Sequence, residues 1–324
     1  MVVPVIMGIV PEDVSYPAGT PVWGTDYNAA YSLLLRWWGL LEAPGGVDCT
    51  PMWENLVADD IVITASGLTA KGITEARQAV ARARAEWEWS FELGFEAMSL
   101  TWLGHGRFQL DAQFVEQRRA GAGATTARTC TWQARLRKQN DGRLVFIAIE
   151  EQSARAALLS EFVSHYVVNR AKATMIQFQT HTDLLTGDAE PMRELLMPAL
   201  ELHGLVNSQK DETRGDETTF TDVRNLRETI STSARRQDNI IRTHAEFAAW
   251  FASCTALFRK DGFHKLERFE VIPLLHRRYR VVAQFNWRAE TINGAAIDLH
   301  TPLTWILADT DDKYMRIEKL LPFG

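Results

Sequence analysis

Apolar residues from Tyr27 to Leu41 recur at helical spacing until Pro44-Gly45-Gly46 interrupts them, and Pro51 to Val57 resumes the pattern with Thr50 placed as an N-cap. Two helices therefore open the chain. Ile61 to Thr64 is a short apolar run closed by Ser66-Gly67, which predicts a strand, and Ile73 to Trp89 is rich in Ala and Arg, which predicts a third helix. The period then changes to two. Phe95–Trp102, Arg107–Gln117, Thr126–Lys138 and Arg143–Glu150 read as four successive strands of an antiparallel meander, with a flexible joint at Ala120 to Ala124.

The same order follows again. Ala154 to Leu185 predicts a long helix that combines a connector with the opening helix of a second unit, and Gly187-Asp188 breaks it. Glu190–Leu196 predicts a further helix, Ala199–His203 a strand, Thr243–Phe258 a helix and Phe263–Leu321 a second meander. Val206 to Asn239 has no counterpart in the first unit. It is polar and charge-dense, and reads as a surface insertion or a lid with one short helix near Val223 to Ile230.

Residue identities repeat along with the pattern. His105 to Phe114 and His276 to Phe285 stand 171 residues apart and share the His, an Arg, an aromatic residue and the closing Ala-Gln-Phe. The same gap-free shift pairs Glu75 with Glu246 at the head of a predicted helix. Strand alternation places Phe108, Leu110, Ala112 and Phe114 on one face, like Tyr279, Val281, Ala283 and Phe285. His105, Arg107 and Gln113, and likewise His276, Arg278 and Gln284, fall on the other face as interface residues.

Composition narrows the function classes. The 324 residues suffice for two domains with cores of their own, and 46% hydrophobic content with 23% charge is that of a globular protein. A net charge of −6 gives no broad cationic surface, so nucleic acid is not an expected partner. Three cysteines without metal-ligand spacing read as reduced thiols of a cytoplasmic protein, and no metal or cofactor is expected. The apolar start carries Pro4 and Gly8 and lacks a basic leader; it reads as an N-terminal arm over residues 1–24, with an unremoved signal sequence as the alternative and no membrane association expected. Phosphate-loop, Gly-x-Ser-x-Gly and His-Glu-x-x-His motifs are missing from the sequence.

The order of elements, the Trp53-Glu-Asn-Leu-Val-Ala-Asp-Asp-Ile61 phrase and the Asp-Gly-Arg hairpin at Asp141 resemble the nuclear transport factor two-like superfamily, also called SnoaL-like or ketosteroid-isomerase-like, once per half. The resemblance implies an α+β fold of two fused cone-shaped domains, 25–153 and 154–324, each a curved antiparallel sheet wrapped around helices. It further implies sheet-to-sheet packing as a pseudo-dimer within one chain, with further oligomerisation left open.

For chemistry, the resemblance points to the end of the first strand, where such enzymes keep a proton-removing group. The first half offers Thr64 and Ala65 there and Trp37 where the isomerases have a Tyr, so it reads as a degenerate scaffold. The second half offers His203 in place of the usual Asp and His264 where relatives keep a cavity His, so the Asp–His dyad of those relatives is expected to be absent. His181, Asp183, Trp287, Thr304 and Trp305 are the expected substrate contacts. Two functions remain open: a cofactor-independent lyase or isomerase of the dehydratase or cyclase type, with His264 and His203 as acid and base on a hydrophobic, polycyclic small molecule, and a non-catalytic small-molecule binding or scaffolding protein.

Overall fold

The computed structural model describes residues 6–7, 17–121, 123–158, 161–203, 240–255, 258–259 and 262–322. The polar segment Val206 to Asn239 and residues 1–5 and 8–16 of the expected N-terminal arm lie outside them. The chain is mixed α+β and divides into two compact units, Met1–Ala173 with Asp311–Tyr314, and Thr174–Thr310 with Met315–Gly324. Among the described residues no helix is long and apolar enough to cross a membrane.

Unit 1 contains β1 (Ile6–Met7), β2 (Thr20–Trp23), α1 (Thr25–Glu42), a 3-10 turn at Pro51–Trp53, β3 (Val57–Ala65), β4 (Leu68–Lys71), α2 (Ile73–Glu86), β5 (Glu88–Gly104), β6 (Arg107–Arg119), β7 (Thr125–Lys138) and β8 (Leu144–Ala156). Its sheet runs β1-β2-β5-β6-β7-β8-β3-β4. α3 (Tyr166–Leu184) then crosses into unit 2, which continues with a 3-10 turn at Glu190–Leu195, β9 (Leu196–Leu202), α4 (His244–Cys254), β10 (Phe263–Pro273), β11 (Arg278–Glu290), β12 (Ala296–Ala308) and β13 (Arg316–Pro322). The second sheet runs β10-β11-β12-β13-β9.

Both sheets contain a four-stranded antiparallel meander whose last strand pairs in parallel with an earlier strand of the same unit: β8 with β3, and β13 with β9. The 171-residue shift carries over to element boundaries. It maps Arg107–Arg119 of β6 onto Arg278–Glu290 of β11, and the first residue of α2, Ile73, onto His244 of α4. The paired glutamates act alike as well. Glu75 accepts the Lys71 backbone N–H at 2.9 Å, and Glu246 accepts that of Arg242 at 2.7 Å while closing a capping box with Thr243.

Several predicted boundaries move, each for a local reason. The helix expected from Ala154 begins at Tyr166 instead, because β8 runs on to Ala156 and pairs with β7 as far as Arg128. β5 starts at Glu88, seven residues before the expected strand, because the chain leaves α2 in extended form at Trp87 and pairs at once with Arg119. The helices expected over Pro51–Val57 and Glu190–Leu196 are short 3-10 segments of three and six residues, and the second runs directly into a strand. His105 and His276 do not stand on the polar strand faces. They occupy the hairpin turns before β6 and β11, at φ of 50° and 57°, where the chain must reverse through left-handed conformations.

Unit 1 fills its core with aromatic rings. Trp38 stacks on Phe91 at 5.6 Å, and Trp132 meets Phe114 edge-on at 4.7 Å. Glu42, the last residue of α1, is buried beside them. Its carboxylate accepts the Phe91 backbone N–H at 2.7 Å and both oxygens accept the Asn169 amide, at 3.1 and 3.0 Å.

Burial raises Glu42 from 4.5 to about 8 against the opposing pull of those donors. A raised carboxyl adds stability below its unfolded value, and that stability is lost as pH climbs through the folded value. The protein is therefore expected to lose stability of the order of several kcal/mol from about pH 4.5 to pH 8 through this group, at roughly 1.4 kcal/mol per unit. Glu42→Gln, followed by thermal unfolding across that range, is expected to flatten the dependence; an unchanged slope would count against a protonated Glu42.

Candidate active site

Unit 2 sets a carboxylate in a similar position. Asp183 lies one residue from the end of α3, with a side chain 1% exposed. Its Oδ2 accepts the His264 backbone N–H at 2.9 Å, and its Oδ1 faces His264 Nδ1 at 2.7 Å. The expected absence of an Asp–His pair is thus corrected. The carboxylate comes from the helix and not from the first strand, so the replacement of Asp by His203 does not remove it.

The geometry around His264 is aromatic on two sides. Trp287, its cross-strand partner on β11, stacks on the imidazole at 5.4 Å and 10°, and Phe285 stands edge-on at 6.0 Å. Phe258 in turn packs edge-on against Trp287 at 5.2 Å. The short Nδ1 to carboxylate contact has a chemical consequence. In the neutral ring it places the proton on Nδ1, so Nε2 is the nitrogen that carries the lone pair.

The other predicted site residues go elsewhere. His203 follows β9, the opposite edge strand from β10, and its Nε2 lies 2.6 Å from Glu201, which also pairs with Lys319 at 2.5 Å. Leu200 and Leu202 are buried, so the alternating Glu201 and His203 belong to the other face of that strand. His264 instead shares the core face with Phe285 and Trp287. The structure does not bring the two imidazoles together.

Strand parity separates Thr304 from Trp305 in the same way, since adjacent residues of β12 point to opposite faces. Trp305 is fully buried, meets Phe178 edge-on at 5.2 Å, and lies six residues along β12 from the Trp287 partner Leu299, about 20 Å at the usual strand rise. It packs the core at a distance from His264. His181 is two positions from Asp183 on α3, and residues at that spacing do not share a helix face; its Nε2 lies 2.9 Å from Gln177. Asp183, His264 and Trp287 are the members that converge.

Unit 1 holds two further polar features. Glu116, Cys130 and Glu151 place potential ligand atoms within 4.8 Å of one another. Their chemistry does not fit a cation. Glu116 already accepts Arg118 and Arg128 at 2.8 Å each and the Ser66 hydroxyl, while burial pushes the Cys130 thiol up to about 12. A solvent-open groove of about 460 Å³ is lined by Trp53, Arg77, Asp59, Asp60 and Arg137 among others, with Arg137 and Asp60 paired at 3.5 Å. Its mixed charges compensate one another at the surface.

No family model matches the chain, and no curated protein matches it. Among solved structures, a crystal structure titled Putative Scytalone Dehydratase, from Novosphingobium aromaticivorans, is similar at 12% identity, with a TM-score of 0.33, covering 43% of this chain and 89% of that one.

Asp183→Asn tests the carboxylate directly. The amide keeps one acceptor oxygen but turns an NH2 group toward one of the two His264 N–H groups. A loss of about 1–3 kcal/mol is expected in denaturant unfolding, and a variant as stable as the parent would show that the pair does not hold β10 to α3.

Proposed function

We propose that unit 2 is a cofactor-independent acid–base catalyst of the lyase or isomerase type, with His264 as the proton-transferring group. The observation that carries this reading is the Asp183 carboxylate 2.7 Å from His264 Nδ1. A buried acceptor on Nδ1 fixes the tautomer and the ring plane, so that Nε2 can take a proton from a carbon or hydroxyl group and return it. Asp183 positions the ring and takes no part in bond changes. The aromatic walls from Trp287, Phe285 and Phe258 favour a hydrophobic, flat substrate such as a hydroxylated or enolisable polycyclic compound.

The same reading extends to family and domain organisation. We read the two units as duplicated SnoaL-like domains, supported by the shared strand connectivity and the 171-residue shift of β6 onto β11. Unit 1 is the degenerate copy on this reading, since its core is filled by Trp38, Phe91, Phe114 and Trp132. His203, on its own carboxylate Glu201 and on the other strand face, is left out of the catalytic pair.

His264→Ala is expected to lower turnover by about 10²- to 10⁴-fold in a screen of hydroxylated and enolisable polycyclic compounds. His203→Ala is expected to leave it within a few-fold. Ligand affinity that survives His264→Ala, with no turnover by the parent protein, would overturn the catalytic reading in favour of a binding module.

A further inference from the structure

The two units differ at one register position in a way that bears on the dyad. β6 and β11 correspond residue for residue, so Phe91, opposite Glu116, corresponds to His264, opposite Trp287. Each is bound through its backbone N–H by the carboxylate at the end of its unit's first helix, Glu42 or Asp183. Two residues earlier, unit 1 has Trp89 and unit 2 has Gly262. Trp89 is buried and stacks on Phe91 at 5.8 Å. A side chain at this position is thus compatible with a carboxylate that, from the longer Glu42, binds the strand residue through its backbone amide alone.

At Gly262 it is not compatible with the observed Asp183. A Cβ built there would lie 2.8 Å from Asp183 Oδ1, the oxygen that faces His264 Nδ1, and 3.6 Å from Trp287 Nε1. The first distance is shorter than real Cβ contacts allow, and the blocking atom sits on a short, buried side chain held at both oxygens. We infer that Gly262 is a positioning residue, whose missing side chain lets the Asp183 carboxylate reach the imidazole of His264 as well as its backbone N–H. The inference rests on the proposed role of His264 for its functional meaning, but its geometry does not. Glycine is needed here for space, since Gly262 is not among the residues with positive φ.

The test is a proton NMR spectrum of the full chain, in which an Nδ1–H bonded to a carboxylate gives a far-downfield resonance, assigned by its loss in His264→Ala. Gly262→Ala is expected to abolish or move that resonance while the far-ultraviolet circular dichroism is retained. An unshifted resonance in a folded Gly262→Ala protein would overturn the inference. Should Gly262→Ala fail to fold, the Asp183→Ala/Gly262→Ala double variant decides. If the glycine acts through the carboxylate, the double variant folds as well as Asp183→Ala alone; if it is damaged further, the inference is wrong. Since no substrate enters these measurements, the inference can hold even where His264→Ala shows no catalytic role, and the two failures are distinguishable.

Discussion

A buried carboxylate at the C-terminal end of each unit's first helix, accepting an N–H from the first strand of the meander, is the constraint on which the rest depends. It is an expensive arrangement. The negative end of the helix dipole opposes a negative charge there, and burial removes the water that would otherwise solvate it. Unit 1 meets that cost with Asn169, the Phe91 amide and a proton held up to about pH 8 on Glu42. Unit 2 meets it with two N–H groups from one residue, His264. The same bond that fastens helix to sheet thereby also aims an imidazole.

That dual use explains how a structural contact can become a site. In both units the carboxylate and its backbone partner fasten the helix to the sheet. With an imidazole in place of a phenyl ring at the bonded residue, and a Gly in place of a Trp two residues before it, the same fastening also orients a ring nitrogen. Unit 1 keeps the fastening and packs the remaining space with indole and phenyl rings, as its stacked Trp38, Phe91 and Trp89 show. Its charged cluster at Glu116 occupies the register position of Trp287 and is neutralised by Arg118 and Arg128.

Much of the architecture is legible in the residue pattern, because it follows from local rules. Period-two alternation marks β6, β7, β11 and β12, breaker residues such as Gly45-Gly46 and Gly187 end the helical stretches, and Glu75 and Glu246 mark helix starts. The recurrence of these signals at a constant spacing also gives the duplicated order of elements. His264 and Asp183 are visible as polar candidates near element ends, and Trp287 as an aromatic candidate within a strand.

Which candidates meet is decided by tertiary structure. A sequence shows that His203 ends a strand, but the face on which it stands depends on which neighbours are buried, and that sets it with Glu201 and Lys319 away from the core. Whether a helix carboxylate reaches a strand imidazole depends on contacts across 81 residues of chain, for which local pattern carries no signal. The role of Gly262 is the extreme case: a glycine chosen for the space it leaves has no side chain to announce it, and only the position of Asp183 Oδ1 gives it meaning.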